Sequence, residues 1–208
     1  TYDLNLVKIY INGVQDFSTT PELPITNNDN EAIIGARKLT ETTFDRVMNG
    51  VLDEVRVWNV ARTENEIRST MSKKIPGGTA GLVGYWRFDN PEGLNVPDLT
   101  ANDNYGTLYN IRDFRYSWSG APVGDESLYD YSGVSPSDFS VNLSSSDNDD
   151  FTVTGSSGTI KGIQLYRVDA PAMRGPISSL FSGSTSPFIS MDPLRYWGVK
   201  VIGSGSPT

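Results

Sequence analysis

Cysteine and histidine are both absent from this 208-residue chain. Without cysteine the chain has no disulfide and no thiolate nucleophile, and without histidine it has no imidazole base. A zinc site of the cysteine and histidine type is excluded for the same reason. The lack of cysteine leaves the compartment open, because such a chain neither needs an oxidising environment nor is harmed by one.

Long apolar runs are also absent, and positive charge is in deficit. No stretch approaches the ~20 apolar residues that a membrane helix needs, so we expect no membrane insertion. The 25 acidic residues outnumber the 17 lysines and arginines, which gives a formal net charge of −8. Such a chain is repelled by the phosphates of nucleic acids, so no nucleic-acid partner is expected. An acidic surface keeps an extracellular protein soluble, and cation binding is the alternative explanation.

What the chain does contain is strand patterning, most clearly around residues 51–58. The apolar side chains of Val51, Val55 and Val57 alternate with the residues between them. This period of two predicts a strand. Further strands are predicted at residues 32–35, 82–88, 139–143, 151–155, 162–168 and 196–202.

Two short-range signals predict a turn and a helix. Asn12-Gly13 lies between apolar residues, which is typical of a tight β-hairpin of type I′. Thr63 and Glu66 form a capping box, so a short surface helix is predicted directly after them.

Three motifs together resemble a known family. They are V-K-I-Y-I-N-G-V at 7–14, G-V-L-D-E-V-R-V-W-N at 50–59, and Y-W-R-F-D at 85–89 with the loop 98–108. They are similar to motifs of laminin-G-like (concanavalin A-like, jelly-roll) modules in large bacterial surface and secreted proteins. The resemblance covers about half of the chain. It implies an all-β antiparallel sandwich with one short helix and a secreted, extracellular or cell-surface location.

The order of these motifs is unusual, because the opening motif at 82–88 follows the closing motif at 50–59. Three arrangements are compatible with this order. The chain is a piece of a tandem array, or a permuted module, or a module whose missing strands come from another molecule. We favour a piece of a longer polypeptide in which residues 82–108 pack on the strands of 1–72.

The composition changes along the chain and indicates two domains. Long charged side chains are concentrated in the first half, and serine, glycine and proline dominate the second. We predict a truncated or permuted laminin-G-like sandwich over residues 1–114. The short strands and turn clusters of residues 115–208 predict a small antiparallel sandwich of the Ig or fibronectin type.

The best candidate metal site follows the 82–88 strand. Asp89, Asp98, Asn102, Asp103 and Asn104 supply carboxylate and amide oxygens, the ligands that Ca²⁺ prefers. Related modules often hold calcium near this loop, so the resemblance also implies calcium. The alternative is a turn rich in Asp and Asn that needs no ion.

Aromatic side chains that could hold a sugar lie in the loop and the linker. Tyr105 and Trp118 are the ligand candidates, whereas Trp58 and Trp86 lie within predicted strands and are expected in the core.

A sandwich glycosidase needs two convergent carboxyl groups, about 5 to 5.5 Å apart in retaining enzymes. Asp53 and Glu54 are consecutive on a predicted strand and would point to opposite faces. The sequence therefore predicts a non-catalytic adhesion or binding module with a glycan or cell-surface protein as partner. The alternative is a structural subunit of a filament or surface layer, completed by other copies of itself.

Overall fold

The chain forms two compact units in a computed structural model. The model describes residues 1–22, 30–89, 93–109, 121–131, 139–146, 148–155, 160–170 and 194–203. The first unit comprises Thr1–Thr63 and Ile75–Ala121, and the second comprises Glu64–Lys74 and Pro122–Thr208. The segment Glu64–Lys74, which the expected division places with the first domain, therefore groups with the second unit. The expected boundary at 114 lies outside the described residues.

Short antiparallel sheets make up the first unit. Its strands are β1 (Val7–Ile11), β2 (Val14–Thr19), β3 (Arg37–Lys38), β4 (Phe44–Asp45), β5 (Val55–Trp58), β6 (Leu82–Trp86), β7 (Asn95–Val96) and β8 (Gly106–Thr107). Within the described residues these strands pair two by two, β1 with β2, β3 with β4, β5 with β6 and β7 with β8. Residues outside the strands bond to two of the outer edges: Thr1 pairs with Lys8 of β1, and the amide of Leu99 donates to the carbonyl of Tyr85 on β6 at 2.9 Å.

The hairpin of β1 and β2 confirms the predicted turn. Asn12 and Gly13 have φ angles of 51° and 74°, which a type I′ turn requires at both central positions. Ile9 pairs with Phe17 across the two strands. The Asn-Gly pair provides the turn because both residues tolerate a left-handed backbone.

Strand β5 is shorter than its alternation predicts. Glu54 has a φ angle of 52°, and this left-handed residue interrupts the extended backbone just before the strand. Val51 consequently lies outside the strand and is exposed. Strand β6 pairs antiparallel with β5, with Val55 opposite Trp86. The segment that contains β6 therefore packs beside β5 within the same chain, as favoured above.

The buried strand predicted at residues 32–35 is wrong. Ile33 and Ile34 are exposed and belong to no strand. Gly35 has a φ angle of 79°, and its carbonyl accepts a hydrogen bond from the amide of Met48 at 2.7 Å. A left-handed glycine ends the extended backbone here, so two adjacent isoleucines do not become a strand.

The second unit contains one short helix and five strands among its described residues. They are α1 (Glu64–Thr70), β9 (Glu126–Asp130), β10 (Phe139–Ser144), β11 (Asp150–Gly155), β12 (Ile160–Val168) and β13 (Tyr196–Gly203). Strands β13, β12 and β9 form one antiparallel sheet, and β10 pairs with β11. The helix and four of these strands confirm predicted elements, whereas β9 was not predicted. The described residues include no helix that is long and apolar enough to cross a bilayer.

The core of the second unit lies between β10 and β12. Phe139, Val141 and Leu143 alternate along β10 and face Ile163 and Leu165 of β12 in one buried cluster. Alternation works as a predictor here because one face of β10 meets the core and the other meets solvent.

Helix α1 contacts the opposite face of β12 at Gln164. Gln164 lies between two core residues of β12 and is itself completely buried. Its Nε2 donates to the carbonyl of Arg68 at 3.2 Å and to the hydroxyl of Tyr131 at 3.3 Å. The alternation of β12 did not predict this burial, because both faces of the strand are covered.

Candidate functional site

Asp98 organises the loop between β7 and β8. It is only 6 % exposed. One carboxylate oxygen accepts hydrogen bonds from the amides of Tyr85 and Thr100, each at 2.9 Å. The other accepts from the Thr100 hydroxyl at 2.9 Å and the Asn104 amide at 3.0 Å. Four donors therefore converge on one buried carboxylate.

These hydrogen bonds decide the ionisation of Asp98. Burial by itself raises the pKa of a carboxyl group. Here the hydrogen bonds from Thr100, Tyr85 and Asn104 together outweigh that effect and hold the pKa of Asp98 below its ordinary value. The side chain is therefore charged at neutral pH, and as a carboxylate it accepts the hydrogen bond from the Tyr85 amide of β6.

Two asparagines of the loop anchor it to the same strand. The Nδ2 atoms of Asn102 and Asn104 both donate to the carbonyl of Val83 at 3.1 Å. The indole nitrogen of Trp86 donates to the carbonyl of Asn104 at 2.8 Å. The structure thus brings together three of the expected metal ligands, Asp98, Asn102 and Asn104, in hydrogen bonds with backbone groups.

The other two expected ligands lie apart from this cluster of bonds. Asp103 is exposed with a φ angle of 53°, and Asp89 forms an ion pair with Arg87 at 2.5 Å. In the described part of the chain, no three acidic side chains lie close enough together to hold a metal ion. The geometry resembles the ion-free turn that was the alternative, and calcium at this loop stays a prediction.

Of the two aromatic ligand candidates, Tyr105 and Trp118, the structure describes only Tyr105. Tyr105 is 60 % exposed beside the loop, and its hydroxyl donates to Asp103 at 3.5 Å. An exposed ring of this kind is available to a partner. Trp118 lies outside the described residues.

A buried charged cluster that sequence reasoning missed lies next to the loop. Glu54 accepts hydrogen bonds from Arg56 and from the hydroxyl of Tyr85, and Nε of Arg87 donates to it at 3.1 Å. The side chains of Glu54 and Arg56 are 10 % and 9 % exposed. Burial and the bond to Glu54 raise the pKa of Tyr85. The D-E-V-R spacing hints at the first pair, but Tyr85 and Arg87 join it only through strand pairing.

The first unit also exposes apolar side chains on regular strands. Ile9, Ile11 and Phe17 of the β1–β2 hairpin are 50 %, 56 % and 51 % exposed. Ile9 and Phe17 are directly paired, so their side chains form one apolar surface, which we call the hairpin face. This face is a candidate contact surface for a partner.

Comparison with known proteins bears on the first part of the chain. Residues 1–68 match the model of the concanavalin A-like lectin/glucanases superfamily, in its laminin-G-like form. This match, with the strand-rich structure, supports an all-β laminin-G-like module at the start of the chain. The match suggests a binding module, and modules of the laminin-G-like kind are typically non-catalytic. No curated protein and no solved structure matches the chain.

Proposed function

We propose that this chain is a non-catalytic adhesion or binding module of a multidomain extracellular protein on a bacterial surface. Its partner is a cell-surface protein or a glycan. The hairpin face carries this proposal, because Ile9 and Phe17 lie opposite each other on paired strands and each is about half exposed. Full burial of such a side chain contributes about 1.5–3 kcal/mol, and because Ile9 and Phe17 are already half buried, a partner that covers them would add about half of that for each.

The occupant that fits this surface is an apolar sheet or strand of a protein partner. Strand β2 has no strand beside its outer edge among the described residues, so a partner strand can add backbone hydrogen bonds there beside the apolar contact. The chain carries a net charge of −8, which favours a partner with basic residues around an apolar centre.

The alternative function is structural. Here the partner is a second copy, and neighbouring chains complete each other's sheets in a filament or surface layer. The outer edge of β2, which has no neighbouring strand among the described residues, supports this alternative as well.

Sedimentation velocity between about 1 and 100 µM separates the two functions. A monomer throughout supports a module for a different partner and excludes obligate strand exchange, whereas growing assemblies support the structural role. Phe17→Thr should weaken whichever association is found, because threonine keeps the strand preference and removes the ring. Val201→Thr, an equally exposed change in the second unit, is the matched control.

A glycan partner bound through calcium is tested separately. The proposed ligands are Asp89, Asp98, Asn102, Asp103 and Asn104, with Tyr105 as the aromatic contact. A glycan array probed with and without chelator should show binding that the chelator abolishes. Isothermal titration of the chain with CaCl₂ gives a direct readout, and a flat titration would refute calcium binding.

A further inference from the structure

The second unit contains a cavity, open to solvent, that neither the sequence motifs nor the family match assigns. Its volume is about 330 Å³, and it is lined by Asn65, Arg68, Tyr129, Asp130 and Tyr131. The first two residues lie on α1, and the last three lie at the end of β9. The volume falls at the lower end of the range of about 300–1,000 Å³ that small-molecule sites occupy.

The two tyrosines of this cavity are held in place. The ring of Tyr131 lies 4.1 Å from the guanidinium of Arg68, and a Cβ added at Gly162 would lie 2.5 Å from the ring. The rings of Tyr129 and Tyr131 meet edge to face with centroids 5.8 Å apart. The hydroxyl of Tyr129 donates to the carbonyl of Asn65 at 3.4 Å. The aromatic wall is therefore preorganised, which lowers the entropic cost of binding.

A fully buried glutamine supports the wall from behind. Both Nε2 hydrogen bonds of Gln164 go to groups of the site, the carbonyl of Arg68 and the hydroxyl of Tyr131. A buried amide of this kind fixes the position of its partners. Helix α1, β9 and β12 thus hold the cavity together from three sides of one unit.

The charges of the cavity are balanced. Arg68 is its cation and also pairs with Glu64 one helical turn earlier. Asp130 is its anion, and one of its oxygens accepts the amide of Ser140 at 2.9 Å. One cation and one anion leave the site without net charge, which favours a neutral ligand over an anionic or cationic one. The exposed amide of Asn65 adds a neutral donor and acceptor.

We propose that this cavity binds one residue of a neutral saccharide. The apolar C–H face of a pyranose stacks on the ring of Tyr129, and its neighbouring hydroxyls pair with the Asn65 amide and the Asp130 carboxylate. The inference rests on the proposed binding role and names a site for it in the second unit. Since this site contains no expected calcium ligand, its binding is independent of chelator.

Saturation-transfer NMR on the full chain tests the proposal. The probes are the methyl glycosides of glucose, galactose, mannose and N-acetylglucosamine, each in the presence of EDTA. At least one should receive saturation from the protein. Tyr129→Ala should weaken that binding about tenfold, because it removes the stacking surface. Tyr196→Ala, a half-exposed tyrosine on β13, is the matched control and should leave binding unchanged.

A second variant guards against loss of folding. Asn65 is exposed on α1, where alanine is the best helix former, so Asn65→Ala removes the amide without destabilising the helix. It should also weaken binding while the thermal midpoint stays the same. Absence of transfer to every glycoside overturns the proposal. So does binding that survives both cavity variants, or binding lost equally in Tyr196→Ala.

The outcome is separable from that of the proposed function. Tyr129→Ala should leave association through the hairpin face unchanged, and Phe17→Thr should leave saccharide binding unchanged. If saccharide binding fails while association persists, this site alone is refuted. If association fails while saccharide binding persists, the hairpin face is refuted and the site stands.

Discussion

Replacement of Asp98 by asparagine tests whether a single carboxylate holds the β7–β8 loop to β6. The amide oxygen of Asp98→Asn can keep the bonds from the amides of Tyr85 and Thr100. The side-chain nitrogen of the new asparagine, however, takes the place of the oxygen that accepts a hydrogen bond from the backbone amide of Asn104. Two donors then face each other. The Thr100 hydroxyl can reverse its direction, and the Asn104 amide cannot.

The magnitude follows from what is lost. A hydrogen bond to a charged group contributes about 1.5–3 kcal/mol to stability. A buried donor left without an acceptor costs about 1–3 kcal/mol more. Asn104 lies at the edge of the loop, where water reaches part of the site. We therefore expect a loss of stability of about 3 kcal/mol rather than the full sum of the two terms. That corresponds to about a hundredfold change in an equilibrium constant.

Amide hydrogen exchange and urea unfolding measure this loss. The amides of Tyr85 and Asn104 should exchange about a hundredfold faster in Asp98→Asn, because local opening becomes easier. Asp103→Asn is the matched control, since this exposed neighbour has a left-handed backbone that asparagine tolerates. It should change stability by less than about 0.5 kcal/mol. If Asp98→Asn exchanges and unfolds like this control, the structural role of the carboxylate is refuted.

Three further predictions concern the same region. The pKa of Asp98 is lower in the folded state than in the unfolded state, where it is about 3.9. The stability that the Asp98 carboxylate contributes is therefore complete above about pH 3.9 and is lost as the pH falls through the folded pKa. The urea midpoints of wild type and Asp98→Asn should converge in acid. Glu54→Gln should cost about 3 kcal/mol in urea unfolding, because it leaves the charge of Arg56 without its carboxylate; an unchanged midpoint would contradict this. Gly84→Ala should cost about 1–3 kcal/mol, because its Cβ would lie 2.4 Å from the ring of Trp86, whereas Gly78→Ala, with open space around it, should be neutral.

Much of the second unit was predictable from local pattern. The strands over 139–143 and 162–168 follow apolar side chains at a spacing of two, and both are present in β10 and β12. Strand β9 was missed because its residues, E-S-L-Y-D, lack a continuous alternation of apolar and polar side chains. It becomes a strand by pairing with β12, from Ser127 opposite Tyr166 to Asp130 opposite Ile163. The Ig-like or fibronectin-like identity of this unit stays a prediction.

In the candidate sites, too, some features follow from the local sequence and others depend on distant contacts. Tyr105, expected to be available to a partner, is exposed, and three expected metal ligands do lie together at the loop. The function of Asp98 as an acceptor for four donors depends on Tyr85, thirteen residues earlier, and no local signal carries that contact. The cavity that we propose as a saccharide site likewise needs α1 and β9, which are separated by more than fifty residues.

The sequence by itself determined the features whose causes lie within a few residues. Asn12-Gly13 specifies its hairpin through the backbone freedom of two adjacent residues, and the Thr63–Glu66 spacing marks the start of α1. Only the tertiary structure decided that β6 pairs with β5, that α1 covers Gln164, and that Glu54 lies between two arginines. Those outcomes depend on which distant surfaces meet, because a side chain is buried or exposed by its partners in space and not by its neighbours along the chain.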